Sequence, residues 1–273
     1  MSVTNRKVGP WARLSLGALP FILLVGAYAV GSAIRLADNP ADKLLPSLPD
    51  MADTFWRMAT EPDKRSGDLL LWSDTWLSLM RLGGGVLIAA FISVCLGVFI
   101  GFLPRARATL APFVAAISLI PPITILPILF IVFGLGETAK IALIVIGTAP
   151  VMTRTLAQAV MDIPREQIVK AETLGASTWQ MILRIALPQA MPHLITAARL
   201  GLVPAWIFLI SAEATAATSG LGYRIFLVRR YLAMNIILPY VAWITLIAYL
   251  LDYALRTASV RLFSWAHPKG AGL

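Results

Sequence analysis

The chain of 273 residues is 58% hydrophobic and only 14% charged, with a mean hydropathy of +0.78. Soluble domains carry about 25% charged residues, and here the apolar residues form long uncharged runs, so a soluble fold is excluded and an integral membrane protein is predicted. The net charge of +9 comes without a basic patch interleaved with aromatic residues, so we expect no nucleic-acid partner. The one cysteine, Cys95, excludes a disulfide framework.

Six apolar runs are long enough to cross a bilayer, which requires about 20 helical residues. They predict an all-α membrane protein that forms a single transmembrane domain over residues 1–273. A polar segment, 35–75, is expected to be a periplasmic loop, and a second polar segment, 162–192, separates the fourth and fifth runs. The third run contains several prolines and is expected to be distorted near its middle. The predicted spans are 14–34, 80–103, 112–134, 139–161, 194–214 and 236–255.

The distribution of Lys and Arg predicts the orientation in a bacterial-type inner membrane. With the N-terminus inside, 13 of the 23 basic residues lie on the cytoplasmic side and 10, including Arg81, lie on the other side. Because Lys and Arg accumulate on the cytoplasmic side of membrane proteins, we expect both termini and the segment 162–192 to be cytoplasmic.

The segment 162–192 has helix-capping and helix-ending residues that predict two helices joined by a tight turn. Gly175 is suited to the left-handed position that follows a helix C-terminus. Ser177, followed three residues later by a glutamine, predicts a capping box that opens a second helix. Leu187-Pro188 is expected to end this second helix, because proline removes a backbone donor and clashes with the preceding turn.

This hairpin resembles the EAA loop of ABC-importer permeases, whose pattern is EAA, three residues, Gly, nine residues and Ile-x-Leu-Pro. Gly175 and the run from Ile185 to Pro188 stand at the family spacing, whereas only Ala171 of the EAA triplet matches. Other stretches resemble the branch of the family that imports nitrate, aliphatic sulfonates and taurine. They are Ile120-Pro121-Pro122, Leu126-Pro127, Phe133-Gly134-Leu135-Gly136, Ala176-Ser177, Ala212-Glu213 and Gly220-Leu221-Gly222-Tyr223.

The resemblance implies the type I importer fold with six transmembrane helices, in which two copies, expected to be a homodimer, form the pathway. It also implies two cytoplasmic ABC ATPase subunits that bind ATP and Mg²⁺, an extracytoplasmic solute-binding protein, and a small nitrogen or sulfur compound as solute. The residues expected to couple to the ATPase are Ala171, Gly175, Ala176, Ser177, Trp179, Ile185, Leu187 and Pro188.

The chain itself is expected to be non-catalytic and to bind neither cofactor nor metal. None of its lysines is followed by Ser or Thr, as a P-loop requires. Its two histidines, His193 and His267, have no Cys or carboxylate at ligand spacing.

Candidate pathway residues are found where the third run is broken, since broken helices in membranes line cavities rather than lipid. These are Pro121, Pro122, Thr124 and Pro127, and a simple packing kink is the alternative interpretation.

Glu213 and Asp252 are ionisable residues in or near spans, and such residues are usually functional. For Glu213, solute contact in the pathway and a structural ion pair both remain open; for Asp252, a structural pair with Arg256 is favoured. The alternative function is a self-sufficient secondary transporter or channel that uses both acids as an ion relay. The glycine-rich stretch with Gly220, Gly222 and Tyr223 is expected to form a gate or link.

Overall fold

The computed structural model describes residues 9–40, 42–64 and 67–266, so His267 lies outside the described part. Within these ranges all regular structure is helical, as predicted. The α-helices are α1 (Pro10–Asp38), α2 (Leu48–Thr60), α3 (Leu70–Phe102), α4 (Pro104–Ser118), α5 (Leu126–Phe133), α6 (Glu137–Met161), α7 (Arg165–Thr173), α8 (Thr178–Met181), α9 (Leu187–Ala216), α10 (Leu221–Arg229) and α11 (Met234–Leu262).

Five helical segments of the described chain are long and apolar enough to cross a membrane. They are α1, α3, α6, the continuous helix from Thr178 to Ala216, and α11; α4 and α5 make a sixth if the bent pair is one span.

The third span differs from the prediction of one distorted helix over 112–134. α4 ends at Ser118, the chain continues through a 3₁₀ turn (Pro122–Ile125), and α5 then runs at 83° to α4. Pro121 and Pro122 lack backbone donors, and a residue before proline is disfavoured in helical conformation, which explains why the break falls there.

The fifth span also begins differently from the prediction, because Pro188 does not end the second helix of the hairpin. α8 passes through a π-helical turn, Ile182–Ala186, directly into α9, and the Leu187 N–H donates to the Ile182 carbonyl five residues earlier. In an α-helix the proline ring clashes with the carbonyl four residues earlier. The wider π-helical turn moves that carbonyl away from the ring of Pro188, so the helix continues without interruption.

The centre of the bundle is formed by α3, α6 and α9, with α11 packed at one end. Glycines allow α3 and α6 to approach closely: a Cβ on Gly85 would lie 2.6 Å from Ile144 Cγ2, and one on Gly101 would lie 2.5 Å from Val160 Cβ. Small residues permit such contacts in membranes, where packing rather than water exclusion holds helices together.

The predicted periplasmic loop contains α2, an amphipathic helix that lies against α11. Ser47 caps α2, with Oγ accepting from the Asp50 N–H at 3.2 Å. The exposed helix α1 is tied to the start of this loop, because the Tyr28 hydroxyl donates to the Pro46 carbonyl at 2.8 Å.

Candidate functional site

The hairpin between α6 and α9 has a turn whose geometry follows from its sequence. Gly175 has φ +79°, its N–H donates to the Glu172 carbonyl at 2.9 Å, and the Ala176 N–H donates to the Ala171 carbonyl at 3.0 Å. These two bonds form a Schellman motif, so the predicted left-handed glycine is confirmed. Ala171, the one matching member of the EAA triplet, supplies a carbonyl of the motif.

The second helix of the hairpin starts with the predicted capping box. The Ser177 N–H donates to Gln180 Oε1 at 2.8 Å, and the Gln180 N–H donates to Ser177 Oγ at 3.3 Å. These two backbone N–H groups have no partner within the helix, and the capping box supplies one for each. It thereby fixes the direction in which α8 leaves the turn.

The two halves of the hairpin differ in how they contact the bundle. α7 buries no residue, and the adjoining Leu174 is 87% exposed. In contrast, Ile182 and Ala186 are buried against α3 and α6, and the Trp179 ring stacks on Phe99 at a centroid distance of 6.5 Å. The α8 side is therefore anchored, whereas α7 is exposed and mostly polar, with Val169 and Leu174 as exposed apolar side chains.

A cavity of about 300 Å³ lies beside the break between α4 and α5. Of the predicted pathway residues, only Pro122 lines it. Pro121 and Thr124 lie in the same break but outside the lining, and Pro127 lies in the first turn of α5. Thr124 Oγ1 donates to the Pro121 carbonyl at 2.7 Å and stabilises the turn. The other lining residues come from α4, α6 and α9 and include Ser118, Gly147, Thr148, Val151, Thr155, Gly201 and Pro204.

A second cavity, of about 590 Å³, lies next to the first, towards the C-terminal end of α6. The two share Val151 and Thr155, and the second adds the polar side chains of Arg154, Gln158, Asp162 and His193. Together they form a path from the break in the third span to the base of the hairpin.

Glu213 does not line these cavities. It is fully buried near the end of α9, where Oε1 accepts from Arg81 Nη1 at 2.7 Å and from the Ser78 hydroxyl at 2.8 Å. Its Oε2 accepts from the Gly222 N–H at 2.8 Å. Of the two interpretations that the sequence left open for Glu213, this geometry favours the structural ion pair over the pathway, because both carboxylate oxygens accept hydrogen bonds inside the protein.

Arg81, which the orientation count placed among the residues on the outer side, is buried rather than solvated. It is 4% exposed and bridges Glu213 to Glu137 at the start of α6, with Nη2 to Glu137 Oε1 at 2.8 Å. Lys140 also donates to Glu137 Oε1, at 2.8 Å. The network neutralises charges that would be costly to bury singly.

The predicted gate or link is the N-terminus of α10, held against α3. The Gly220 N–H donates to Asp74 Oδ1 at 2.9 Å, and Arg224 Nε donates to Asp74 Oδ2 at 2.8 Å. Burial lowers the pKa of Arg224, but the hydrogen bond to Asp74 and the charge of that carboxylate together raise the pKa above its ordinary value. Tyr223 is half-buried, with the Arg224 guanidinium 5.9 Å from its ring centroid.

Asp252 forms a structural ion pair, but with a different partner from the one predicted. Arg199 donates through Nε to Oδ1 at 2.8 Å and through Nη2 to Oδ2 at 2.9 Å, a bidentate bridge between α9 and α11. Arg199 supplies the hydrogen-bonded contact in place of Arg256, because α9 packs beside α11 at this level.

Sequence reasoning missed the role of α3 in this polar network, although a signal was present. Asp74, Ser78 and Arg81 recur at i, i+4 and i+7, which places them on one helical face at the start of a long apolar run. A polar stripe in a span indicates an internal face.

Comparison with known proteins decides the family. The family model "Binding-protein-dependent transport system inner membrane component" matches residues 93–264, more than half of the chain. The chain belongs to this family. This permease is 36% identical over 199 residues to the taurine transport system permease protein TauC of Escherichia coli (strain K12), covering 72% of each chain. It is 32% identical over 255 residues to the riboflavin transport system permease protein RibX of Chloroflexus aurantiacus, covering 92% of this chain and 91% of RibX.

A solved structure shows the same fold. The structure of the MetNI methionine ABC transporter in inward-facing conformations matches with a TM-score of 0.62 at 23% identity, covering 72% of this chain and 98% of the matched chain. The permease is thus a multi-pass inner-membrane transport component with the type I importer fold, as predicted. The alternative of a self-sufficient transporter is not supported, because the family is binding-protein-dependent and both acids of the supposed relay are ion-paired.

Proposed function

We propose that two copies of this permease form the pathway of an importer whose ATP and Mg²⁺ are bound by two cytoplasmic ATPase subunits. The hairpin formed by α7 and α8 docks these subunits, and an extracytoplasmic binding protein delivers the solute. The solute is a small sulfonate of the taurine type, because this chain is 36% identical to TauC, a permease of a taurine transport system.

One observation carries the coupling proposal: α8 and α9 are one helix from Thr178 to Ala216. The same helix begins in the hairpin and lines the membrane cavity with Gly201 and Pro204. Because an unbroken helix is stiff, a displacement of α8 at a docked subunit is transmitted to the cavity wall. A flexible connection at Pro188 would have absorbed that displacement.

The docking surface is tested by charging its most exposed apolar side chain. The permease is co-expressed with the ATPase and binding-protein subunits of its own source, and co-purification and uptake are measured. We expect Leu174→Asp to reduce both, because Leu174 is 87% exposed and contributes little to the fold. Leu44→Asp, at an exposed position in the opposite loop, is the control and should retain both; equal behaviour of the two variants would contradict the docking proposal.

The second copy is supported by the break in the third span. Leu119, beside the break, is 80% exposed in the single chain. Irregular backbone at membrane depth must be covered by protein or line a water-filled cavity. We expect Thr124→Cys, in a Cys95→Ser background, to crosslink between copies, and labelling at the rate of a lipid-facing control such as Phe91→Cys would argue against a dimer axis here.

The proposed orientation places both termini and the hairpin in the cytoplasm. In the same cysteine-free background, Glu61→Cys should react with an impermeant thiol reagent in intact cells. Glu166→Cys should react only after permeabilisation, and its labelling in intact cells would reverse the orientation.

A further inference from the structure

Arg154 has an unusual position for a charged side chain of a membrane protein. It lies in α6, seven residues before the helix ends at Met161, which is about 10 Å at 1.5 Å per residue. Its Nη1 donates to the Ser118 hydroxyl at 3.1 Å, yet it forms no salt bridge with any residue of the described ranges. Arg81, Arg199 and Arg224, by contrast, are each paired with a carboxylate.

The surroundings of Arg154 are positively charged. It lines the 590 Å³ cavity and also a neighbouring cavity of about 260 Å³, which it shares with Arg107 of α4. Arg107 is directed there by hydrogen bonds from Nε to the Ile100 carbonyl at 3.2 Å and from Nη2 to the Gly101 carbonyl. Among the described residues that line these cavities, the one acid is Asp162, which lies about two helical turns away and accepts from Gln158 Nε2 at 2.8 Å.

The position of Arg154 also fits a pathway better than a lipid-facing surface. The 300 Å³ cavity, which shares Val151 and Thr155 with the one that Arg154 lines, is bounded by α4, α6 and α9 and reaches the break after Ser118. Broken backbone at this depth belongs to protein interiors or to water-filled cavities. Arg154 therefore offers an unneutralised cation to whatever passes from the break towards the cytoplasm.

We propose that Arg154 is the residue that recognises the oxoanion group of the solute in the inner half of the pathway. The inference rests on the proposed import function and specifies its solute class as a sulfonate. A guanidinium presents several N–H donors in a planar fork, which suits an oxoanion, and such charge-assisted bonds are stronger than neutral ones. A neutral solute such as riboflavin gains nothing from this charge.

The test measures solute binding at the cavity directly. Thr155→Cys is placed in the Cys95→Ser background of the assembled complex, since Thr155 lines both cavities. The rate of maleimide labelling is measured against rising concentrations of taurine, 2-hydroxyethanesulfonate and ethanolamine, the last lacking the sulfonate. We expect protection by both sulfonates only, and Arg154→Gln should raise the half-protecting concentration roughly 10- to 100-fold.

Two further variants distinguish a loss of solute recognition from a general loss of protein structure. Arg105→Gln removes an exposed arginine at the start of α4 that lines none of these cavities and should leave protection unchanged. Arg154→Lys keeps the charge without the fork and should be intermediate. Equal protection in the wild-type and Arg154→Gln complexes, or none in either, would overturn the proposal.

The phosphate of a lipid headgroup is also an oxoanion, and varying the lipid composition distinguishes it from a sulfonate solute. If labelling responds to the phosphatidylglycerol content of nanodiscs and not to sulfonates, Arg154 is a headgroup anchor and the inference fails. Solute uptake by proteoliposomes tests the proposed solute separately from the proposed role of Arg154. Wild-type uptake of riboflavin but not taurine would overturn the proposed solute, whereas taurine uptake unaffected by Arg154→Gln would overturn only the role of Arg154.

Discussion

Replacement of Gly175 by valine isolates the contribution of one backbone conformation to coupling. Gly175 has φ +79°, and a Cβ added there would meet nothing within 4 Å. The cost is therefore backbone strain alone, about 1–2 kcal/mol for an L-residue in the left-handed region. Because 1.4 kcal/mol corresponds to a factor of ten, the population of the native turn relative to alternatives falls roughly 5- to 30-fold.

This strain acts on the turn and leaves the spans intact. The two Schellman bonds, at 2.9 and 3.0 Å, hold α7 at a defined angle to α8, and they require the left-handed glycine. The transmembrane helices satisfy their own backbone groups, so Gly175→Val should insert at normal levels. We expect weaker ATPase binding, or hydrolysis that no longer drives uptake.

The assay compares ATPase activity and solute uptake in reconstituted complexes with two control variants. Gly175→Asn should be milder than valine, because asparagine tolerates the left-handed region. Gly134→Val is the control for backbone strain outside the hairpin: Gly134 also has a positive φ, +74°, with open space around its Cβ position, but it ends α5. If Gly175→Val and Gly175→Asn both behave like wild type, or if Gly134→Val uncouples equally, the turn is only a connector and the reasoning is refuted.

Further predictions concern the buried polar groups. Gly220→Ala should lower the thermal stability of the purified protein, because a Cβ would lie 2.5 Å from Glu213 Oε1. The φ of +124° alone costs an L-residue about 1–3 kcal/mol. An unchanged melting temperature would show that the turn relaxes freely. Glu213→Ala should cost about 3–5 kcal/mol, since Arg81 loses a buried partner, and joint replacement of Glu213 and Arg81 by apolar residues should recover part of it; failure to recover any would mean the two are not coupled. Arg199→Leu or Asp252→Leu alone should reduce the amount of folded protein in membranes, measured by fluorescence-detected gel filtration, and the double leucine variant should restore it if the bidentate pair is purely structural.

The local conformation of the hairpin could be predicted because its determinants lie within a few residues of one another. Gly175 ends α7, and Ser177 opens α8 through bonds that span three to five residues. The effect of Pro188 could not be predicted in the same way. Whether a proline ends a helix depends on the preceding turn, and here a π-helical turn lets the helix continue.

Hydropathy and turn chemistry are local properties, so the amino-acid sequence was enough to predict the class of the protein, its apolar spans, a distortion of the third span at its prolines and the turn at Gly175. The partners of the charged residues depend instead on how the helices pack. Arg81 meets Glu213 across 132 positions of the chain, and Arg199 meets Asp252 across 53. A buried charge requires a partner, but composition and spacing do not say which helix supplies it. Helix packing paired Glu213 with Arg81 at one end of the bundle, and among the residues that the structure describes it gave Arg154 no carboxylate partner beside the cavity.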